Sequence, residues 1–169
     1  MYETNDGILF RMPSAHDGLA VHHLIAESPP LDLNSVYSYY LLSDHFRETC
    51  VVAEYEEKIV GFLSAYRIPT RPDTLFVWQV VVSKDLRGRR IAWRMLASLL
   101  ERLTAEQVKF VEATVNPSNI ASRRLFEHLA KERGTLLEET TFLEASAFGP
   151  SESHESEILL RIPLSKPNS

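Results

Sequence analysis

A single cysteine, Cys50, stands in the 169 residues. An internal disulfide is therefore excluded, and a reducing compartment, the cytoplasm, is expected. A basic excess is missing too. Lys and Arg total 18 against 23 Asp and Glu, a formal net charge of -5, whereas a nucleic-acid binder normally carries a positive surface. The only dense basic run is Arg87, Arg89, Arg90 and Arg94, too short for a nucleic-acid surface and sized for a few phosphates. No apolar run approaches the ~20 residues needed to span a bilayer. The opening MYETNDG is polar and acidic, unlike a secretory leader. Neither a nucleic acid nor a membrane is expected as a partner. There is no repeat and no low-complexity tract.

What is present reads as one globular domain over residues 1–169, with flexible ends at 1–7 and 165–169. Ile8 to Met12 suits a strand stopped by Pro13. Ser14 followed by Asp17 is a capping-type start for a helix reaching Glu27. Ser28-Pro29-Pro30 ends it, and a second helix holds Val36 to His45. Cys50–Tyr55 and Ile59–Tyr66 form a hairpin across a short acidic turn, and Pro69 and Pro72 mark a loop. Thr74 to Val82 is a near-continuous apolar run, the pattern of a central strand buried on both faces. Ile91 to Leu103 repeats apolar residues at helical spacing. Lys109–Val115 is a strand, and Asn116-Pro117-Ser118-Asn119 opens a helix to Arg133. Two further strands fall near Thr140–Leu143 and Glu157–Ile162. The order predicts an α/β fold.

Between the apolar run and its helix lies Ser83-Lys84-Asp85-Leu86-Arg87-Gly88-Arg89-Arg90-Ile91-Ala92. A helix N-terminus offers unpaired N–H groups and a partial positive charge, a ready seat for a pyrophosphate. Gly88 lets the backbone approach closely and the arginines add charge. Alone, the run also reads as a solvated basic turn. The segment resembles the acyl-CoA signature of the GNAT superfamily. Arg87 and Ala92 match its ends, and Arg90 replaces its central glycine. A second stretch, Thr114 to Phe126 (TVNPSNIASRRLF), resembles the family's strand, asparagine and helix beside the pantetheine arm.

That resemblance implies a GNAT acyl-CoA N-acyltransferase fold, a mixed central β-sheet flanked by helices with splayed central strands. It implies acetyl-CoA as co-substrate, held by Val80, Val82, Arg87, Gly88, Arg89, Arg90, Ile91, Ala92 and Asn119. The Val80 backbone N–H would serve the thioester oxygen as it gains charge. Asn119 also reads as a plain helix cap. Many family members place a glutamate base on the central strand and a tyrosine acid on the last helix. Here Phe76, Trp78 and Gln79 occupy the first stretch and Phe126 the second. A base is still required, because an alkylammonium near pKa ~10.4 is neutral only about once in a thousand at pH 7. Asp32, His154 and Glu157, or a water they hold, are the candidates.

The stretches DLNS at 32–35, FVWQV at 76–80, SNIASRRLF at 118–126 and HESE at 154–157 are together similar to the L-2,4-diaminobutyrate acetyltransferases of ectoine biosynthesis, over residues 8–164. The resemblance implies direct acetyl transfer in a ternary complex to the γ-amine of diaminobutyrate, in a homodimer. Asp32, Tyr37, Tyr40, Trp78, Thr114, His154 and Glu157 would line the acceptor site. Residue by residue, other readings stay open. Asp32 can cap the second helix, Trp78 can be core, and His154 with Glu157 can be loop residues or weak metal ligands. No metal is expected, since no third ligand is in view. Two other functions also remain: transfer to another small amine, and a non-catalytic acyl-CoA sensor.

Overall fold

The computed structural model describes residues 2–3, 6–103, 108–149 and 154–165. Residues 1, 4, 5 and 166–169 of the ends expected to be flexible lie outside these, as do residues 150–153. The chain divides into two compact units, Met1–Tyr66 with Trp78–Thr104 and Arg67–Val77 with Ala105–Ser169.

The first unit is antiparallel at its edge. Strand β1 (Tyr2–Glu3) pairs with β2 (Leu9–Arg11), β2 with β3 (Val51–Tyr55), and β3 with β4 (Lys58–Ile68). The β3–β4 turn carries Glu56 and Glu57, both at positive φ. Two helices, α1 (Gly18–Ala26) and α2 (Val36–Asp44), pack on each other. A one-turn helix at Ala15–Asp17 precedes α1, and the Ser14 N–H donates to Asp17 Oδ2 at 2.7 Å, as the capping pattern predicts. Val21, Leu24 and Ile25 of α1 meet Tyr39 and Leu42 of α2, with Cys50, Val52, Phe62 and Val81 beneath them. Gly18 sits where α1 passes α2: an added Cβ would lie 3.0 Å from the Tyr40 ring and backbone N. Helix α3 (Ile91–Arg102) buries Ile91, Met95, Leu96, Leu99 and Leu100, the stripe its spacing predicts.

The second unit is mixed. The start of β5 (Arg71–Val82) runs parallel to β6 (Phe110–Val115), pairing Thr74↔Phe110 through Val77↔Ala113. On its other side β6 is antiparallel to β8 (Glu157–Pro163), which pairs with β7 (Glu138–Leu143). Helix α4 (Ile120–Arg133) packs on β8 and ends at Gly134, whose φ of 64 supplies the left-handed turn. Every residue of β7 is exposed.

At the base of this unit Glu112 is 1% exposed and held from two sides. Arg71 grips it with both terminal nitrogens, at 2.6 and 2.8 Å. Arg161, its cross-strand neighbour on β8, donates to Glu112 Oε1 and stacks over Phe110. Burial pushes the Glu112 carboxyl up. The hydrogen bonds and charges of both arginines outweigh that and hold it below the ordinary value.

Three expectations are corrected. The apolar run is not buried on both faces. Leu75, Val77, Gln79 and Val81 are buried, Phe76, Val80 and Val82 are half-buried, and Trp78 is 44% exposed. An unbroken apolar sequence cannot report which face another layer covers. The loop from Pro69 to Pro72 shrinks to the turn Pro69–Thr70, and Pro72 stands near the start of β5, where a missing N–H is tolerated. Asp32 does not cap α2. Ser35 does, its Oγ accepting from the Ser38 N–H at 3.3 Å.

Candidate active site

Strand β5 fixes two backbone donors. Along a strand, successive N–H groups point to opposite edges. The Gln79 N–H reaches Ser64 Oγ on β4 at 3.2 Å, and the Ser83 N–H reaches the Val60 carbonyl at 2.8 Å. The amides of Val80 and Val82 therefore face the edge away from β4. The ladder to β6 covers β5 only as far as Val77. The Val82 carbonyl on that edge accepts from Arg87 Nε at 3.4 Å.

The loop after β5 makes a one-turn helix, Lys84–Leu86, then turns into α3. Gly88 has φ +83 and open space where a Cβ would stand. Arg90, at the signature glycine position, adopts φ 57 and ψ 24. Arg90 thus takes the left-handed conformation itself, at a cost of about 1–2 kcal/mol. Helix α3 has no side-chain cap and no acidic residue in its first turn. The Ile91 and Ala92 amides belong to that turn, which has no acceptors inside the helix.

The basic run splits between two sides. Arg87 lies by Val82. Arg89 and Arg94 turn to Asp6: Arg94 is bidentate at 2.9 Å for both bonds, and Arg89 Nη2 is 3.2 Å away. Arg94 also stacks over Phe10 and Arg89 over Tyr55. Nothing in the local sequence signals this partner, 88 residues from Arg94.

In the same unit Asp32 is exposed on the α1–α2 loop, and Tyr37 is 67% and Tyr40 37% exposed on α2. Between them Tyr39 is wholly buried, and with Gln79 it forms a network that sequence reasoning missed. Gln79 Nε2 donates to the Asp32 carbonyl at 2.8 Å, the Tyr39 hydroxyl donates to Gln79 Oε1 at 3.4 Å, and the Asn34 N–H donates to the Tyr39 oxygen at 3.1 Å. The available signal was a glutamine inside an apolar run.

In the second unit Thr114 is half-buried on β6, opposite Leu159 of β8. Asn119 caps α4, its Oδ1 accepting from the Ser122 N–H at 3.1 Å, so its amide nitrogen is left for another role. His154 stacks on Phe148 with centroids 3.9 Å apart and planes 15° off parallel. Glu155, also missed, accepts from the Ser118 N–H at 3.0 Å, and the Ser118 side chain and backbone together hold its carboxyl below the ordinary value. It ties the HESE segment to the Asn116–Asn119 turn. Glu157 opens β8 opposite Leu143, half-buried. Phe126 is buried and brings no hydroxyl. Among the described residues no group of three or more His, Cys, Asp or Glu could hold a metal ion, and no helix is long and apolar enough to cross a membrane.

Residues 19–130 match the model of the acetyltransferase (GNAT) family. The chain is 51% identical to an L-2,4-diaminobutyric acid acetyltransferase of Bordetella parapertussis, over 93% of this chain and 85% of that protein. It is 44% identical to a protein of the same name from Vibrio cholerae, over 95% and 92%. Among solved structures, the Paenibacillus lautus diaminobutyrate acetyltransferase EctA, in complex with L-2,4-diaminobutyric acid and coenzyme A, superposes with a TM-score of 0.91 at 44% identity, over 96% of this chain and 98% of that one. With a mixed α/β fold, a central strand whose ladder stops at Val77 and a phosphate-type loop entering α3, the chain belongs to the GNAT acetyltransferase family and, within it, to the L-2,4-diaminobutyric acid acetyltransferases.

Proposed function

We propose that the protein transfers the acetyl group of acetyl-CoA to the γ-amine of L-2,4-diaminobutyrate, giving γ-N-acetyl-diaminobutyrate for ectoine synthesis in the cytoplasm. The observation that carries this reading is identity of 44 to 51% over nearly the whole chain to relatives named for that activity. Both units act as one GNAT domain, since the family match at 19–130 draws on each.

Asp32 and Glu157 bind the ammonium end of the acceptor, and Tyr37, Tyr40, Trp78 and Thr114 complete its site. One carboxylate, or a water beside His154, removes the γ proton. The amine nitrogen then bonds to the acetyl carbon, the carbon–sulfur bond breaks, the thiolate leaves unaided, its thiol being near pKa ~8.5, and the second amine proton is lost to water as the amide forms. The Val80 N–H donates to the acetyl oxygen as it gains charge. Val82, Arg87, Gly88, Arg90, Ile91, Ala92 and Asn119 hold the coenzyme, whose contribution is an activated thioester. Arg89, which also pairs with Asp6, completes the set assigned from sequence. Transfer is direct: burial pushes the one thiol, Cys50, up to about 11, which removes it as a nucleophile.

The protein works as a homodimer, a reading supported by the uncovered β7 strand; sedimentation showing only a 19.3 kDa species would remove it. The function itself is tested by coenzyme A release with diaminobutyrate and by NMR of the product. Release with γ-acetylation alone is expected. No release would favour a non-catalytic sensor, and release only with other amines would favour a different acceptor.

Gly88→Val tests the coenzyme loop. A β-branched residue at φ +83 is strained by about 1–2 kcal/mol. The KM for acetyl-CoA should rise roughly tenfold with the diaminobutyrate KM unchanged. An unchanged coenzyme KM in a folded variant would place the phosphates elsewhere.

A further inference from the structure

The segment 31–35 carries Asp32 and has no regular structure. Its ends are tied locally, by the Leu31 N–H to the Ser28 carbonyl and by the Ser35 cap on α2. Its middle is held from below. The Asp32 carbonyl receives Gln79 Nε2, and the Asn34 N–H reaches the Tyr39 oxygen. Gln79 and Tyr39 are themselves joined, and the Gln79 backbone is anchored to Ser64. Both side chains are buried, at 6% and 0% exposure. Buried polar groups persist in a core when every member is satisfied, and such networks fix one geometry in preference to others. Gln79 also stands between Trp78 and Val80, so the strand that presents the Val80 amide is the strand that holds the loop.

We propose that Gln79 and Tyr39 are positioning residues of the acceptor site, setting the place of Asp32 relative to β5 and thereby which amine is presented for acetylation. Gln79 occupies the strand region where many family members carry a base, but an amide cannot take a proton from an ammonium. Its task is to donate to a carbonyl, which a carboxylate cannot do. The inference rests on the role proposed for Asp32.

Three variants of the full-length protein test it. Gln79→Leu removes the donor, and Tyr39→Phe removes the acceptor of the Asn34 N–H while keeping the ring in the core. Gln79→Glu replaces the donor with a group that donates only when protonated. Each should raise the diaminobutyrate KM about tenfold, leave the acetyl-CoA KM within twofold, and increase the share of α-acetylated product. Calorimetric binding of diaminobutyrate to Gln79→Glu, relative to wild type, should recover as pH falls from 8 to 6 and the carboxyl protonates. In Tyr39→Phe the Asn34 amide should exchange with solvent at least tenfold faster, with the β4 amides unchanged. Exchange needs no substrate, so it separates failure of this inference from failure of the acetyltransferase reading. Equal rises in both KM values, or unchanged exchange at Asn34 with unchanged regiochemistry, would overturn it.

Discussion

Replacing Asp32 or Glu157 by alanine should weaken use of diaminobutyrate at least tenfold in each case, with the acetyl-CoA KM held within twofold. The acceptor has two ammonium groups and one carboxylate. A fixed carboxylate on the protein contributes a charge-assisted hydrogen bond of roughly 1.5–3 kcal/mol, or about ten- to a hundredfold in affinity. Two such groups select an orientation as well as a ligand, because only one placement of the molecule satisfies both. Wild type should therefore give γ-acetylated product with little α isomer, and each single variant should leak α product as its KM rises. Steady-state kinetics and product NMR on the same samples measure both. Full activity in both variants would reduce Asp32 to a loop charge and Glu157 to the end of a strand.

The largest effect on stability is expected at Glu112. Glu112→Gln leaves Arg71 and Arg161 facing a neutral amide on a buried floor. Removing one partner from a wholly buried pair costs ~3–5 kcal/mol. Arg71 and Arg161 keep contact with water, at 46% and 26% exposure, so the loss here should be about 2–4 kcal/mol. The pH dependence has a definite sign. The folded carboxyl titrates below the ordinary value, so its contribution is complete above the unfolded value near ~4.3 and drains away as pH falls through the folded one. Urea unfolding of wild type and variant at pH 7 and near pH 3 should show the two curves converging in acid. A difference that persists undiminished at pH 3 would mean packing, not charge, is lost.

The long periodic elements were legible because their signals are local. The stripe Ile91, Met95, Leu96, Leu99, Leu100 places α3 to within a residue of its observed end, and Asn119 marks the start of α4 by its capping chemistry. Conformation within turns was less legible. The acidic turn at Glu56–Glu57 is visible as a turn, but its two left-handed residues are not, because glutamate has no preference for that region. Partners far apart in sequence were not legible at all. Glu112 lies 41 residues from Arg71 and 49 from Arg161, and no local pattern marks the three as a set. Trp78 and Gln79 show the same limit at the site. Alternation along β5 separates an exposed indole from a buried amide, while composition counts both within one apolar run.

The turning of Arg89 and Arg94 toward Asp6 bears on how the loop responds to salt. Those pairs are partly exposed, and dissolved ions weaken such pairs: at 1 M ionic strength the screening length falls to ~3 Å. In the proposed coenzyme seat, phosphate contacts built from long-range positive charge would fade at the same ionic strength. Amides at the head of α3 act over hydrogen-bond distance, inside that screening length, and the peptide dipoles behind them are covalently fixed. Two of the four arginines of the basic run are turned to the N-terminal segment, so in the proposed coenzyme seat more of the phosphate contact falls to the backbone, by short-range geometry that concentrated electrolyte leaves in place.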